Sequence, residues 1–110
     1  MSETPRWPAA WVRAALDLAV LGALADGPRH GYAIAQELQV RGFGRLRGGS
    51  LYPVLARLEE GGHVAAAWVD AGSGPARKDY RLTPEGRAHL ARGLASWAEL
   101  GDALRTEEGS

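Results

Sequence analysis

Cysteine is absent from the 110 residues, which excludes disulfides, a zinc finger and a thiol nucleophile. Net charge is absent too: thirteen basic residues offset thirteen acidic ones, a balance that argues against a general nucleic-acid coat. Histidine is scarce, and His30, His63 and His89 stand too far apart in sequence to suggest a metal site. A long uninterrupted apolar run is also missing. The Ala/Leu-rich N-terminus is broken by Arg13 and Asp17 and closed by Asp26-Gly27-Pro28, so neither a membrane span nor a signal peptide is expected. The cytoplasm is the expected compartment. No internal repeat or low-complexity segment is present, and no motif calls for a cofactor. A chain of this length makes one small domain that buries only a modest share of its surface, so self-association would add stability and a dimer is expected.

The charge that is present is unevenly spread. Residues 1–40 carry three Arg against four acids, 41–81 seven basic residues against four acids, and 82–110 three against five. The positive middle contains the most telling segment, GGSLYPVLARLEEGG. Pro53 lacks an amide hydrogen and fits only the first turn of a helix, so a helix is expected to begin at Gly49 or Ser50, with Ser50 as N-cap. Leu51, Val54, Leu55 and Leu58 have the spacing of one buried face. Ser50, Tyr52, Ala56 and Arg57 are left outward, as on a DNA-recognition helix, although an ordinary amphipathic helix has the same pattern.

The surroundings decide between the two. From about Ala9 to Ala25 the pattern is helical, but Trp11, Leu16, Leu18, Val20, Leu21 and Leu24 cover more circumference than a single core needs, so this helix is expected to meet a partner as well. After Asp26-Gly27-Pro28, a second helix is expected from His30-Gly31-Tyr32 to near Arg41, with Ile34, Ala35 and Leu38 inward. The loop RGFGRLRGG leads into the third helix. It follows a helix rather than a strand and lacks the Gly-Lys-Ser/Thr ending, so it is not a nucleotide loop. Beyond Gly62 the period changes to two. Val64, Ala66 and Trp68, then Lys78, Tyr80 and Leu82, flank a turn-rich tip at 70–75 and predict a β-hairpin. Thr83-Pro84-Glu85 is a strong helix start. Leu90, Leu94, Trp97, Leu100 and Leu104 mark that helix's apolar side; running to about Arg105 it would be about 33 Å long, and its far half needs a partner. The first few residues and the last five, TEEGS, are expected to fray.

This order of elements predicts a mainly α fold with a small β-hairpin, a winged helix-turn-helix, with residues 1–82 as the DNA-binding part and 83–110 as a dimerisation helix and tail. The runs LGALADGPRHGYAIAQEL, GGSLYPVLARLEEGG and RKDYRLTPEGR resemble the PadR family of bacterial transcriptional regulators in three motifs in the right order, over roughly residues 14–97. The single C-terminal helix resembles the family's smaller subgroup, which includes multidrug-sensing repressors and pairs its first and last helices across a dimer axis. Two departures stand out. The wing reads Gly74-Pro75-Ala76-Arg77-Lys78-Asp79-Tyr80, with one basic residue fewer and one acid more than the family's common pattern, and His63 replaces a large aliphatic residue.

Candidate DNA contacts are therefore Ser50 and Tyr52, with Tyr52 expected to place its hydroxyl on a phosphate or base edge rather than pack on the domain. Arg57 either joins them or pairs with Glu60 or Glu37. Arg45 and Arg47 precede the helix within reach of flanking phosphates, or are solvated loop charge. Arg77 and Lys78 suit backbone or minor-groove contact from the wing. Trp68 is expected to pack across the strands on Tyr80, and His30 to serve as a capping or turn residue. Trp11, Leu90, Leu94, Trp97, Leu100 and Leu104 are the expected dimer interface. In the drug-sensing relatives a tryptophan in the same Ser-Trp context stacks a planar compound between subunits. The resemblance thus makes Trp97, with Leu18, a candidate site for a planar aromatic molecule, or else an interface filler; Gly93 and Gly101 are expected to leave room beside the indole. No nucleophile has a base nearby, so an enzyme is not expected. A protein-interaction module that binds DNA weakly is the alternative.

Overall fold

A computed structural model describes residues 3–70, 72 and 74–105. Four helices and three short strands follow one another as α1 (Ala9–Ala23), β1 (Arg29–His30), α2 (Gly31–Val40), α3 (Gly48–Glu60), β2 (Val64–Val69), β3 (Arg77–Leu82) and α4 (Pro84–Ala103). The strands form an antiparallel sheet in the order β1-β3-β2. The hairpin register pairs Val64 with Leu82 and Val69 with Arg77, while β1 pairs Arg29 with Tyr80 and His30 with Asp79. His30 is thus a strand residue as well as the N-cap residue of α2, where its side chain makes no capping bond.

The core lies where α1, α2, α3 and the root of the hairpin converge. Val20, Leu21, Leu24, Ile34, Leu38, Leu55 and Val64 are its fully buried side chains. On α3, Leu51, Val54, Leu55 and Leu58 face inward as their spacing requires. The helix nevertheless starts earlier than Pro53 suggests. Gly48 is its first residue and Arg47 its N-cap, whose carbonyl accepts from Ser50 and Leu51 at 2.9 and 3.0 Å. Ser50 lies inside the first turn and makes no capping bond. Pro53 is tolerated beyond the first turn because, on a helix with one exposed side, the carbonyl left without its amide partner at Gly49 faces solvent.

The join between wing and α4 is held by three hydrogen bonds of Thr83. Thr83 Oγ1 accepts from the Gly86 amide at 2.9 Å and donates to the Gly62 carbonyl at 2.6 Å, and the Thr83 amide donates to the His63 carbonyl. Gly86 packs directly on that carbonyl; a Cβ there would fall 1.9 Å from the oxygen. His63 itself stacks on His89 of α4, ring centroids 4.1 Å apart and 15° from parallel. A flat ring against α4 thus replaces the aliphatic contact that the family pattern implied.

The described residues before α1 are tied to the domain. From Glu3 to Pro8 they strap the loop before α3: the Arg6 amide donates to Gly42 O at 2.8 Å, and the Arg45 amide to Glu3 O at 3.0 Å. Trp7 packs on Phe43, centroids 5.6 Å apart. Met1 and Ser2, the outermost of the residues expected to fray, lie outside the described residues. The TEEGS tail lies outside the described residues. From α4, Leu90 reaches the core, whereas Leu94, Leu100 and Leu104 remain 56%, 48% and 75% exposed.

Candidate nucleic-acid interface and aromatic cavity

The polar side of α3 faces out, with Ser50, Tyr52, Ala56 and Arg57 all exposed. Tyr52 is nevertheless directed. Its hydroxyl and ring edge lie over Gly31, the buried first residue of α2, where a Cβ would sit 2.5 Å from the hydroxyl oxygen. A Cβ at 31 would displace the tyrosine ring from the space it now occupies. Tyr52 therefore packs on α2, as the alternative to a DNA contact has it, while the residue as a whole stays 52% exposed.

Every candidate cation but one is engaged by an acid. Arg57 Nη2 meets Asp17 Oδ1 of α1 at 2.7 Å, rather than Glu60 or Glu37. The hydrogen bond that Arg57 donates to Asp17, and then the carboxylate's charge, raise the Arg57 pKa. The sequence offers no sign of this pair, because Asp17 lies forty positions away and is brought there only by packing of α1 against α3. Arg45 Nη1 lies 3.6 Å from Glu3, Lys78 Nζ 3.3 Å from Glu59, and Arg77 Nε 3.5 Å from Asp79 Oδ1. That last oxygen is buried and has no hydrogen-bond partner among the described residues. Arg47 forms no ion pair among them. Glu37, by contrast, pairs with Arg41 at 2.7 Å and Arg29 at 3.8 Å. The Arg41 hydrogen bond, reinforced by the charges of Arg41 and Arg29, outweighs desolvation and holds its carboxyl below the usual value.

The wing tryptophan also departs from expectation. Trp68 pairs across the strands with Lys78, not Tyr80, and is 71% exposed. Ala66 occupies the position opposite Tyr80, and Tyr80 turns into the core, 5% exposed. The period-two pattern identifies the shared face correctly but not the register.

On the opposite side of the domain, α1 and α4 enclose apolar space. Leu18 and Trp97 line the same hollow of about 270 Å³, together with Leu38, Phe43, Leu90 and Leu94. A neighbouring hollow of about 230 Å³ lies among Trp7, Trp11, Phe43 and Trp97. Gly93 does not open this space. Leu18 fills it, with its methyl 2.5 Å from where a Cβ would stand, whereas Gly101 is open. Trp11 is 62% and Trp97 38% exposed. The expected interface residues Trp11, Leu94, Trp97, Leu100 and Leu104 thus share the α1/α4 side, while Leu90 packs partly against the core.

Three helices bearing an exposed recognition face, followed by a hairpin at its flank, define a winged helix-turn-helix protein. Within that class the chain belongs to the PadR-like family of transcriptional regulators, whose sequence pattern matches residues 20–92. A transcriptional regulator of Mycobacterium tuberculosis is 42% identical over 90 residues, which make up 80% of each chain. Among solved structures, a PadR family regulator from Eggerthella lenta is similar with a TM-score of 0.79 and 36% identity, over 86% of this chain and 82% of that one. Bacillus subtilis PadR in complex with operator DNA is similar with a TM-score of 0.66 and 28% identity, over 73% of this chain and 46% of that one. The family consists of transcriptional regulators rather than enzymes. No helix among the described residues is long and apolar enough to cross a membrane.

Proposed function

We propose that the protein is a homodimeric, ligand-responsive repressor of the cytoplasm that binds double-stranded DNA at a near-palindromic operator. The observation that carries this reading is the apolar stripe of Leu94, Trp97 and Leu100 on α4 and Leu104 at its C-cap, which continues past the end of the core and stays exposed in the single chain. Apolar surface of this extent marks an interaction site. A two-fold partner along α1 and α4 covers it and leaves both copies of α3 free, so residues 83–110 act as the dimerisation element for the DNA-binding part, 1–82. Each α3 then enters a major groove through Ser50, Tyr52 and Arg57, while Arg45, Arg47, Arg77 and Lys78 hold flanking phosphates. The complex of Bacillus subtilis PadR with operator DNA supports the same use of the shared fold.

A planar aromatic compound binds at the dimer centre, stacked by the Trp97 indoles and walled by Leu18, with broad selectivity because stacking needs little hydrogen-bond matching. It changes DNA affinity only to the extent that it binds one arrangement of the recognition helices better than another. The second reading, a protein-docking module with weak DNA binding, draws support from the ion pairs that engage Arg45, Arg57, Arg77 and Lys78.

A mobility-shift titration on DNA upstream of the protein's own gene, run over a salt series with and without a planar dye, tests both. The repressor reading expects affinity that falls steeply with salt and a dye effect lost in Trp97→Ala. Salt-insensitive, weak binding favours the docking module. Equal dye affinity in parent and Trp97→Ala reduces Trp97 to an interface filler.

A further inference from the structure

The large side chain that the domain itself explains least is Trp68. Side chains alternate along a strand, so Trp68 shares a face with Val64 and Ala66. Val64 is buried and Ala66 half-buried, whereas Trp68 is 71% exposed. The indole thus continues the inward face of the hairpin past the point where the core ends. It borders a hollow of about 480 Å³ whose other walls include Tyr32, Tyr52, Arg77, Lys78 and Tyr80. Tyr32 and Tyr52 are 66% and 52% exposed. Lys78 Nζ stands 6.0 Å from the Trp68 ring and 5.7 Å from the Tyr80 ring, which keeps an ammonium at the mouth of an aromatic cleft.

Whatever enters this cleft also meets the outer face of α3, because Tyr52 forms part of its wall. On the reading proposed above, on which this inference rests, α3 lies in the major groove and the wing reaches the neighbouring backbone. One segment of the duplex runs between them, a sugar–phosphate strand. Its chemistry is alternating: apolar faces of deoxyribose and anionic phosphates. The cleft offers the complement to both, aromatic rings for the sugars, and Arg77, Lys78 and tyrosine hydroxyls for the phosphates.

We propose that Trp68, with Tyr32 opposite, seats this strand of the duplex and packs its indole on deoxyribose, which gives DNA binding an apolar component. Only neutralised phosphates release counterions and steepen the salt dependence. The indole contact therefore raises affinity equally at every salt concentration and for every sequence, whereas Lys78 acts through the slope.

Binding of the full-length protein to duplex DNA, titrated across a salt series, tests this. Trp68→Ala is expected to weaken binding about tenfold per half-site, the scale of burying an aromatic ring, with the slope of log affinity against log salt unchanged. Trp68→Phe is expected to recover most of the loss, and a DNA-induced change in tryptophan fluorescence is expected in the parent and not in Trp68→Phe. Lys78→Ala lowers the slope instead. Parent-like affinity in Trp68→Ala overturns the inference, including the case in which Trp68 serves a protein partner. So does a loss that appears as a change in slope. Absence of salt-dependent DNA binding by the parent defeats the repressor reading itself and is distinguishable from either result. Circular dichroism and thermal melting check that each variant is folded, a modest demand for so exposed a side chain.

Discussion

The two sides of this domain leave opposite things unsatisfied. Around α3 and the wing, Arg45, Arg57, Arg77 and Lys78 each lean on an acid of the same chain, and the surface is electrically close to balanced. Along α1 and α4, Trp11, Leu94, Leu100 and Leu104 remain about half exposed or more among the described residues. The difference is one of exchangeability. An exposed ion pair contributes about 0–1 kcal/mol, so a phosphate can take the place of the carboxylate at little cost. Exposed leucine and tryptophan have no such substitute in water, and burying each leucine stabilises by roughly 1.5–3 kcal/mol. One face suits a partner that comes and goes; the other suits a permanent one. Two of the ion pairs also bring acids from the N-terminal part, Glu3 and Asp17, onto cations of the positive central segment.

The largest effect is expected on the permanent face. Leu100→Asp with Leu104→Asp should abolish dimerisation at micromolar concentration, because two leucines are removed from the interface and two charges desolvated, a cost on the order of 5 kcal/mol or more. Sedimentation equilibrium reads this directly. A parent protein that sediments as a well-folded monomer would remove the contrast between the faces altogether.

Next in size, Arg77→Ala with Lys78→Ala should weaken binding to all DNA and lower the salt slope by about one for each phosphate no longer neutralised. Tyr52→Ala should hurt operator binding most, and it also leaves a void beside Gly31, so its folding stability should fall by roughly 1–3 kcal/mol. If both sets bind operator DNA like the parent, this face does not recognise DNA.

A smaller effect of opposite sign sharpens the idea of exchangeable pairs. Asp17→Asn removes the carboxylate that holds Arg57 at 2.7 Å. Operator affinity should rise about two- to fivefold, consistent with the modest strength of exposed pairs, and the gain should shrink as salt is raised. Weakened binding in this variant would mean that Asp17 positions Arg57 productively rather than restraining it.

The smallest expected effect concerns stability. Glu37 has its pKa lowered chiefly by the Arg41 hydrogen bond. A depressed carboxyl pKa contributes stability that is present above the unfolded value, about 4.3, and lost as pH falls through the folded one. Glu37→Gln should thus melt slightly lower than the parent at pH 7, and the difference should vanish on acidification below the folded pKa. A gap that persists in acid would assign the effect to packing instead of charge.

Much of the fold was legible because its signals are local. The spacing of Leu51, Val54, Leu55 and Leu58 set the inner face of α3. Thr83-Pro84-Glu85 marked the start of α4 through a capping bond made within three residues, and the period change after Gly62 marked the hairpin. β1 escaped notice because two residues, Arg29 and His30, show no alternation; they are a strand only because β3 lies beside them. The early start of α3 was hidden by Pro53, whose preference for a first turn was outweighed by packing of the whole helix.

What the sequence by itself determined is the order and type of the long elements, the apolar face of each, and, through three spaced motifs, the family. These rest on interactions over a few residues, or on periodicity that any core would demand. Tertiary structure alone decided which acid meets which cation, that Leu18 fills the space at Gly93, that His63 stacks on His89, that Glu3–Pro8 strap the loop before α3, and that Trp68 stands opposite Lys78 rather than Tyr80. Apart from near neighbours such as Arg41–Glu37 and Arg77–Asp79, these join positions separated along the chain, selected by packing and register once the elements assemble. A two-residue slip of the hairpin or a small rotation of a helix would re-pair many of them while keeping the same residues on the apolar faces.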